Sequence, residues 1–210
     1  RHAQSGYHLC DAVHCQVYHG MSEKNLDITA ATVETSDVVV VDQDINLITT
    51  AFHSNCGGQT INCEDVWSKP APYLKAVTDT FCLDMKNSTW TKNVKTVNWM
   101  GFLKKNGISH QSDSLKNFSF SHDRTHFATQ IHLKEIRNEF KFRSTYFQAE
   151  EQSGTINFNG RGYGHGVGLC QEGAMKMSTL GYDYIEILHF YFTNIHVVPL
   201  SNFHLFKEEE

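Results

Sequence analysis

Three stretches of this chain carry residue types that do chemistry. Residues 160–174 read GRGYGHGVGLCQEGA, with five glycines in nine positions and His165 among them. Glycine this dense is kept where backbone must approach something closely or adopt positive φ. A strand pattern (Ile156, Phe158) precedes the run and a helix pattern over 170–180 follows it, which argues for a site floor rather than a linker. Gln171 and Glu172 open that helix, whose first turn offers free N–H donors. His165 is then placed to bond a ligand oxygen or move a proton, or else to serve as a hydrogen-bonded core histidine.

Residues 53–60, HSNCGGQT, join His53 and Cys56 within one loop. A thiol nucleophile with a histidine base is one reading, but it needs a lowered thiol pKa, and no cationic neighbour or helix start provides one. The reading adopted is a structured loop in which Ser54, Asn55, Gly57 and Gly58 bond backbone or ligand. The third stretch is amino-terminal: His2, His8, Cys10, His14 and Cys15. Zinc takes thiolates and imidazoles at tetrahedral angles, although the two thiols lie further apart than in a CxxC knuckle. A disulfide closing so short a loop is the competing reading. Spacing alone leaves the histidine ligand open among the three.

Glycoside hydrolysis ordinarily needs two carboxylates. Glu64, Asp65 and Glu172 are the candidates, and none has a sequence context that signals a raised pKa. Trp67 and Tyr73 suit either a sugar-stacking face or a core.

The elements that must position these groups read as α+β: mixed, mostly antiparallel strands with several short helices. Helices are expected over 25–35, with Leu26, Ala30 and Val33 inward, and over 98–106, 170–179 and 182–191. Strands are expected over 38–41, 45–52 (its hairpin partner), 73–77, 90–97, 143–147, 155–160 and 195–200, with two or three more between 115 and 133. The 210 residues fit one domain, with a possible small subdomain over 85–150.

A formal net charge of −5 argues against a nucleic-acid partner. No apolar run approaches the ~20 residues that span a bilayer. The chain opens on Arg1 rather than methionine, so it reads as a piece whose export signal would lie upstream. Its six cysteines suit disulfides in an exported protein or, in part, a metal site.

Taken together, the motifs resemble the SpoIID/LytB family. The resemblance rests on LCDAVHCQVYHG (9–20), AFHSNCGGQT (51–60), EDVWSKPAPYLKAVTD (64–79), RSTYF (143–147), GRGYGHGVGLCQEGA and ILHFYF (187–192), six segments in family order. It implies a bacterial lytic transglycosylase that cuts the β-1,4 bond between N-acetylmuramic acid and N-acetylglucosamine and leaves a 1,6-anhydromuramoyl end. One glutamate would serve as acid and then base, because the substrate's own 6-hydroxyl is the nucleophile. The resemblance further implies peptidoglycan glycan strands as substrate, envelope proteins as possible partners, and an extracytoplasmic location.

By the same resemblance, His53, Ser54, Asn55, Gly57, Gly58, His165 and Gln171 are substrate-positioning cleft residues. Zinc is the implied cofactor, held by Cys10, Cys15 and His2, with His8 as second choice. The chain departs from the family pattern in two places. The family's catalytic glutamate belongs to a segment before the position of Arg1, so the acid is expected upstream. Cys170 stands where the family often has serine. A non-catalytic glycan-binding or amidase-enhancer module is the alternative reading.

Overall fold

The computed structural model describes residues 2–7, 10, 11, 15, 26–67, 69–108, 124, 126, 127 and 131–202. The chain divides into two compact units, residues 1–38 with 199–210, and residues 39–198. Its mixture of short helices and small, mostly antiparallel sheets is α+β. His8, His14 and most of the expected strands between 115 and 133 lie outside the described residues.

In the first unit, α1 (Leu26–Glu34) forms where the alternation of small and apolar residues favours it. Of its expected inner face, Ala30 and Val33 are exposed, Val33 at 70%. The periodicity was correct for a helix but did not locate a core. In the same unit Leu200 N–H donates to the Asp37 carbonyl at 2.7 Å, and the Ser201 hydroxyl donates to the Asp37 carboxylate at 2.8 Å.

The second unit holds two packed cores. The first lies on a three-stranded antiparallel sheet of β3 (Thr89–Lys95), β7 (Thr155–Arg161) and β6 (Phe147–Gln152), with β7 in the middle. Strand period places Ile156, Phe158 and Gly160 of β7 inward. The helices α2 (Thr96–Lys105) and α3 (Leu133–Phe140) contribute Trp99, Phe102, Leu103, Leu133 and Ile136 to this core. The Phe158 ring lies 4.6 Å from Phe142, 5.3 Å from Trp99 and 5.5 Å from Phe147 between centroids. Gly160 has no side chain for a steric reason: it faces Trp90 in register, and a Cβ there would run into the indole ring.

The second core gathers Leu74, Val167, Met177, Ile187, Tyr191, Phe192 and four cysteines beneath α4 (Gln171–Thr179) and α5 (Tyr184–Tyr191). Asp183 caps α5 reciprocally with Glu186. Strand β1 (Val38–Asp42) pairs with β9 (Ile195–Pro199). The hairpin partner expected over 45–52 reduces to a single bridge between Val41 and Leu47, because the Asp42 carboxylate gathers the Asp44 and Asn46 N–H groups into a tight turn.

Residues 73–77 form no strand; they bond across the chain to Thr60, Asn62, Cys63 and Thr193 as a connected loop. The strand expected over 143–147 begins instead at Phe147. Ser144 explains the shift: its hydroxyl accepts from Trp90 Nε1 at 3.0 Å and donates to the Arg161 carbonyl at 2.6 Å, holding this segment as a turn. Helix α3 escaped the sequence reading because it follows β5 (Ile131–His132) without a side-chain cap and is largely charged.

The Phe158 packing yields a stability expectation. Replacing Phe158 by alanine should cost about 3–5 kcal/mol, read as a lower urea midpoint with an unchanged slope; a loss under about 1 kcal/mol would show that this ring is not central to the first core.

Candidate functional site

The two motifs, about 110 positions apart in sequence, form one surface within the second unit. Strand β2 (Phe52–His53) pairs in parallel with β8 (Leu169–Cys170). Asn55 and Tyr163 then exchange both backbone hydrogen bonds at 3.1 and 2.7 Å, and Ile61 N–H donates to the Gly166 carbonyl at 2.8 Å. The contact is backbone against backbone. A Cβ on Gly57 would lie 2.6 Å from Arg161 Cβ, and one on Gly162 would lie 2.6 Å from the Asn55 carbonyl oxygen. Both glycines also have positive φ, so this position excludes side chains by space and by conformation.

His53 lies 4% exposed in this surface. Its Nδ1 is 3.2 Å from the Val167 carbonyl, which assigns the proton to Nδ1. Nε2 is then a buried lone pair with no hydrogen-bond partner among the described residues. Burial, then the neighbouring His165, lowers the His53 pKa to about 3, so the ring is neutral near pH 7. His165 lies 5.6 Å from His53 and 5.3 Å from Trp67 between ring centroids. Its Nδ1 accepts from Val167 N–H at 3.1 Å, and a backbone hydrogen bond to Phe52 also engages the ring. His165 therefore props the loop, whereas His53 keeps a free acceptor.

Asn55 is fully engaged within the protein. Its Nδ2 donates to the Glu172 carboxylate at 2.7 Å and to the Cys82 carbonyl at 3.0 Å, and its Oδ1 accepts from Gly57 N–H at 2.8 Å. Glu172, in the first turn of α4, also accepts from Asn87 Nδ2 at 2.6 Å and Asn87 N–H at 3.1 Å. Arg143 reaches the Asn87 side-chain oxygen at 3.5 Å and lies 5.6 Å from the centroid of the Tyr163 ring. Tyr163 is 44% exposed.

Asn87, Arg143 and Tyr163 were not singled out by sequence reasoning. Tyr163 was legible as the aromatic between two glycines of the loop; Asn87 sits in a polar turn with no distinguishing pattern. Among the remaining candidates, the Ser54 carbonyl accepts from Glu172 N–H at 3.0 Å, Gly58 bonds Asp79 through its carbonyl, and Gln171 is exposed at the start of α4.

Glu64 pairs with Lys75 at 2.6 Å and Asp65 accepts from Asn62 at 3.2 Å. The Lys75 contact holds the Glu64 pKa below its ordinary value. Cys56 has no base: His53 bonds Val167, while the Cys56 thiol lies 3.3 Å from an Asp79 oxygen. Hydrogen bonding with Cys170 and Cys82, then burial, raises the Cys56 pKa, the reverse of what a nucleophile needs.

In the first unit, the donor atoms of His2, Cys10 and Cys15 lie within 4.8 Å of one another, with His2 Nε2 3.2 Å from Cys15 Sγ. Two thiols and an imidazole this close fit the donor set of zinc. No disulfide joins any of the six cysteines in this structure.

No protein-family model matches the chain. It is 29% identical to an uncharacterized protein of Brachyspira hyodysenteriae, over 89% of this chain and 52% of that protein. It is 27% identical to stage II sporulation protein D of Bacillus amyloliquefaciens, over 74% of this chain and 46% of that protein. It is 26% identical to the amidase enhancer of Bacillus subtilis, over 90% of this chain and 35% of that protein. The chain thus spans about half or less of the length of these relatives.

The His53 environment sets a pH dependence. The unfolded ring titrates near 6.5 and the folded one at about 3, so the unfolded state binds the proton more tightly. This contribution to stability is complete above pH 6.5 and is lost as pH falls toward 3. Replacing His53 by glutamine should flatten the decline in urea midpoint over that window relative to the unaltered protein; parallel declines would count against a buried neutral ring.

Proposed function

The similarity to stage II sporulation protein D and amidase enhancer supports assigning this chain to the SpoIID/LytB family, and from that premise we propose that it forms the glycan-holding surface of an extracytoplasmic peptidoglycan lytic transglycosylase. The observation that carries the reading is the joined pair of loops, from which the exposed Tyr163 ring projects beside Arg143. Saccharides are held by an aromatic face against the sugar ring and by polar groups on its hydroxyls. In this reading Tyr163 offers the face, Arg143 and Asn87 offer donors, and the buried His53 positions the loop from beneath through its bond to Val167. Ser54, Gly57, Gly58 and Gln171 shape the groove, and Asn55 and His165 keep it in register.

The reaction needs a carboxylic acid to protonate the leaving glycosidic oxygen and, as carboxylate, to take the proton of the attacking 6-hydroxyl. Glu64, Asp65 and Glu172 are all committed to other partners. By the family resemblance the acid in this reading is the family's catalytic glutamate, and none of these three carboxylates is given that role. Zinc on His2, Cys10 and Cys15 would tie together the chain on either side of residues 11–14, as structural zinc does. No described helix is long and apolar enough to cross a membrane.

A second reading, a non-catalytic module that binds the wall and assists an amidase or another envelope protein, is favoured by the relative named amidase enhancer and by the committed carboxylates.

The test is to incubate the product of the gene encoding these residues with glycan strands stripped of stem peptides. New anhydromuramoyl ends by mass spectrometry are the expected result. Binding without cleavage, together with faster amidase action, would replace the first reading with the second; absence of binding would end both. Tyr163→Ala should weaken strand binding about tenfold without lowering the melting temperature. Unchanged binding would remove that ring from the groove.

A further inference from the structure

Beneath this surface lies a cluster that the proposed chemistry does not use. Cys56, Asp79, Cys82 and Cys170 are all buried, and one donor atom from each lies within 4.8 Å of the others. Cys56 Sγ is 3.4 Å from Cys82 Sγ and 3.3 Å from Asp79 Oδ2. Four ligands at about 2.0–2.3 Å from a tetrahedral zinc ion stand roughly 3.5–3.8 Å apart, close to these separations. We propose that Cys56, Cys82, Cys170 and Asp79 form a structural site for a divalent soft cation, zinc by ligand type, separate from the His2–Cys10–Cys15 set.

The surroundings of the four groups suit a bound cation. Asp79 is a fully buried carboxylate, and among the described residues it makes no ion pair. Its two oxygens are instead oriented by Phe81 N–H at 2.9 Å and by the Tyr191 hydroxyl at 2.8 Å, the outer-shell bonding typical of a metal-ligating carboxylate. The sulfurs face N–H donors that favour thiolate. Cys170 Sγ accepts from Cys56 N–H at 3.3 Å and from Gly173 N–H at 3.4 Å, and Gly57 and Gly58 N–H groups point to Cys82. Arg124, itself buried, bonds the Cys56 and Gln59 carbonyls and brings a positive charge beside a site rich in negative donors.

Chain geometry agrees. Asp79 and Cys82 come from one turn, Cys56 from the loop after β2, and Cys170 from the cap of α4. Each of the three thiols adjoins the proposed groove: Cys56 follows Asn55, Cys170 precedes Gln171, and the Cys82 carbonyl holds Asn55 Nδ2. Four protein ligands in a buried position leave no coordination place for substrate, so the ion clamps three segments rather than reacting. Binding would displace thiol protons to solvent, which makes affinity rise with pH.

The test uses the full chain with the amino-terminal thiols removed, Cys10→Ser with Cys15→Ser. Elemental analysis after gel filtration should find one zinc per chain, and cobalt(II) in its place should give thiolate-to-metal absorption. Adding Tyr191→Phe, which keeps the ring but drops its bond to Asp79, should weaken zinc binding by about tenfold or more. In the unaltered chain, Cys56, Cys82 and Cys170 should be alkylated under native conditions only after chelation. Absence of metal with three free thiols, a disulfide between any two of them, or labelling indifferent to chelator would each overturn the proposal.

Discussion

The close approach of two backbones at Gly57 and Gly162 is the constraint on which the site depends. A Cβ on either glycine would run into the opposite segment, and each has a φ that other residues seldom adopt. With the segments this near, the Asn55–Tyr163 bridge, the β2–β8 pair and the His53 bond to Val167 all fall into register. Move them apart by one methyl group and none of these distances survives. The polar side chains are consequences of that approach rather than its cause.

A second layer holds the arrangement from outside. Asn55, Glu172, Asn87 and Arg143 form a continuous polar run across four segments. A buried amide with every donor and acceptor used is costly to leave half-satisfied, so Asn55 locks the loop in a single conformation. That economy also divides labour between the two histidines. His165 spends its nitrogens on backbone, and His53 is left with one that has nothing to bond.

Much of this was legible in the chain. The glycine run announced a backbone approach, and its alternation with apolar strand residues placed it beside a sheet. The helices expected over 170–179 and 182–191 were written in their periodicity, and the structure starts the second at Tyr184 behind the Asp183 cap. What sequence could not supply was partnership. Nothing local says that the 53–60 loop meets the 160–168 loop, or that Cys56, Cys82 and Cys170 converge. Likewise, the apolar stripe of α1 signals a helix but not a cover for it, and Ser144 turns a strand-like RSTYF into a corner through bonds to Trp90 and Arg161. The Ser144 corner and the cysteine cluster were decided by residues more than ten positions away, whereas the 45–52 hairpin was undone locally by the Asp42 turn.

The order of the sheet bears on how the groove comes into being. Joining residue 56 to residue 162 directly would enclose a very long loop, and the entropy of closing it would have to be met before any contact repaid it. The β3–β7 register, however, sets Thr89 beside Arg161. Once that antiparallel pairing and its aromatic core exist, the 160–168 loop already stands at the end of β7, and only the stretch between Gly57 and Thr89 remains to be folded back. The β3–β7 pair thus shortens the loop that the Asn55–Tyr163 bridge has to close.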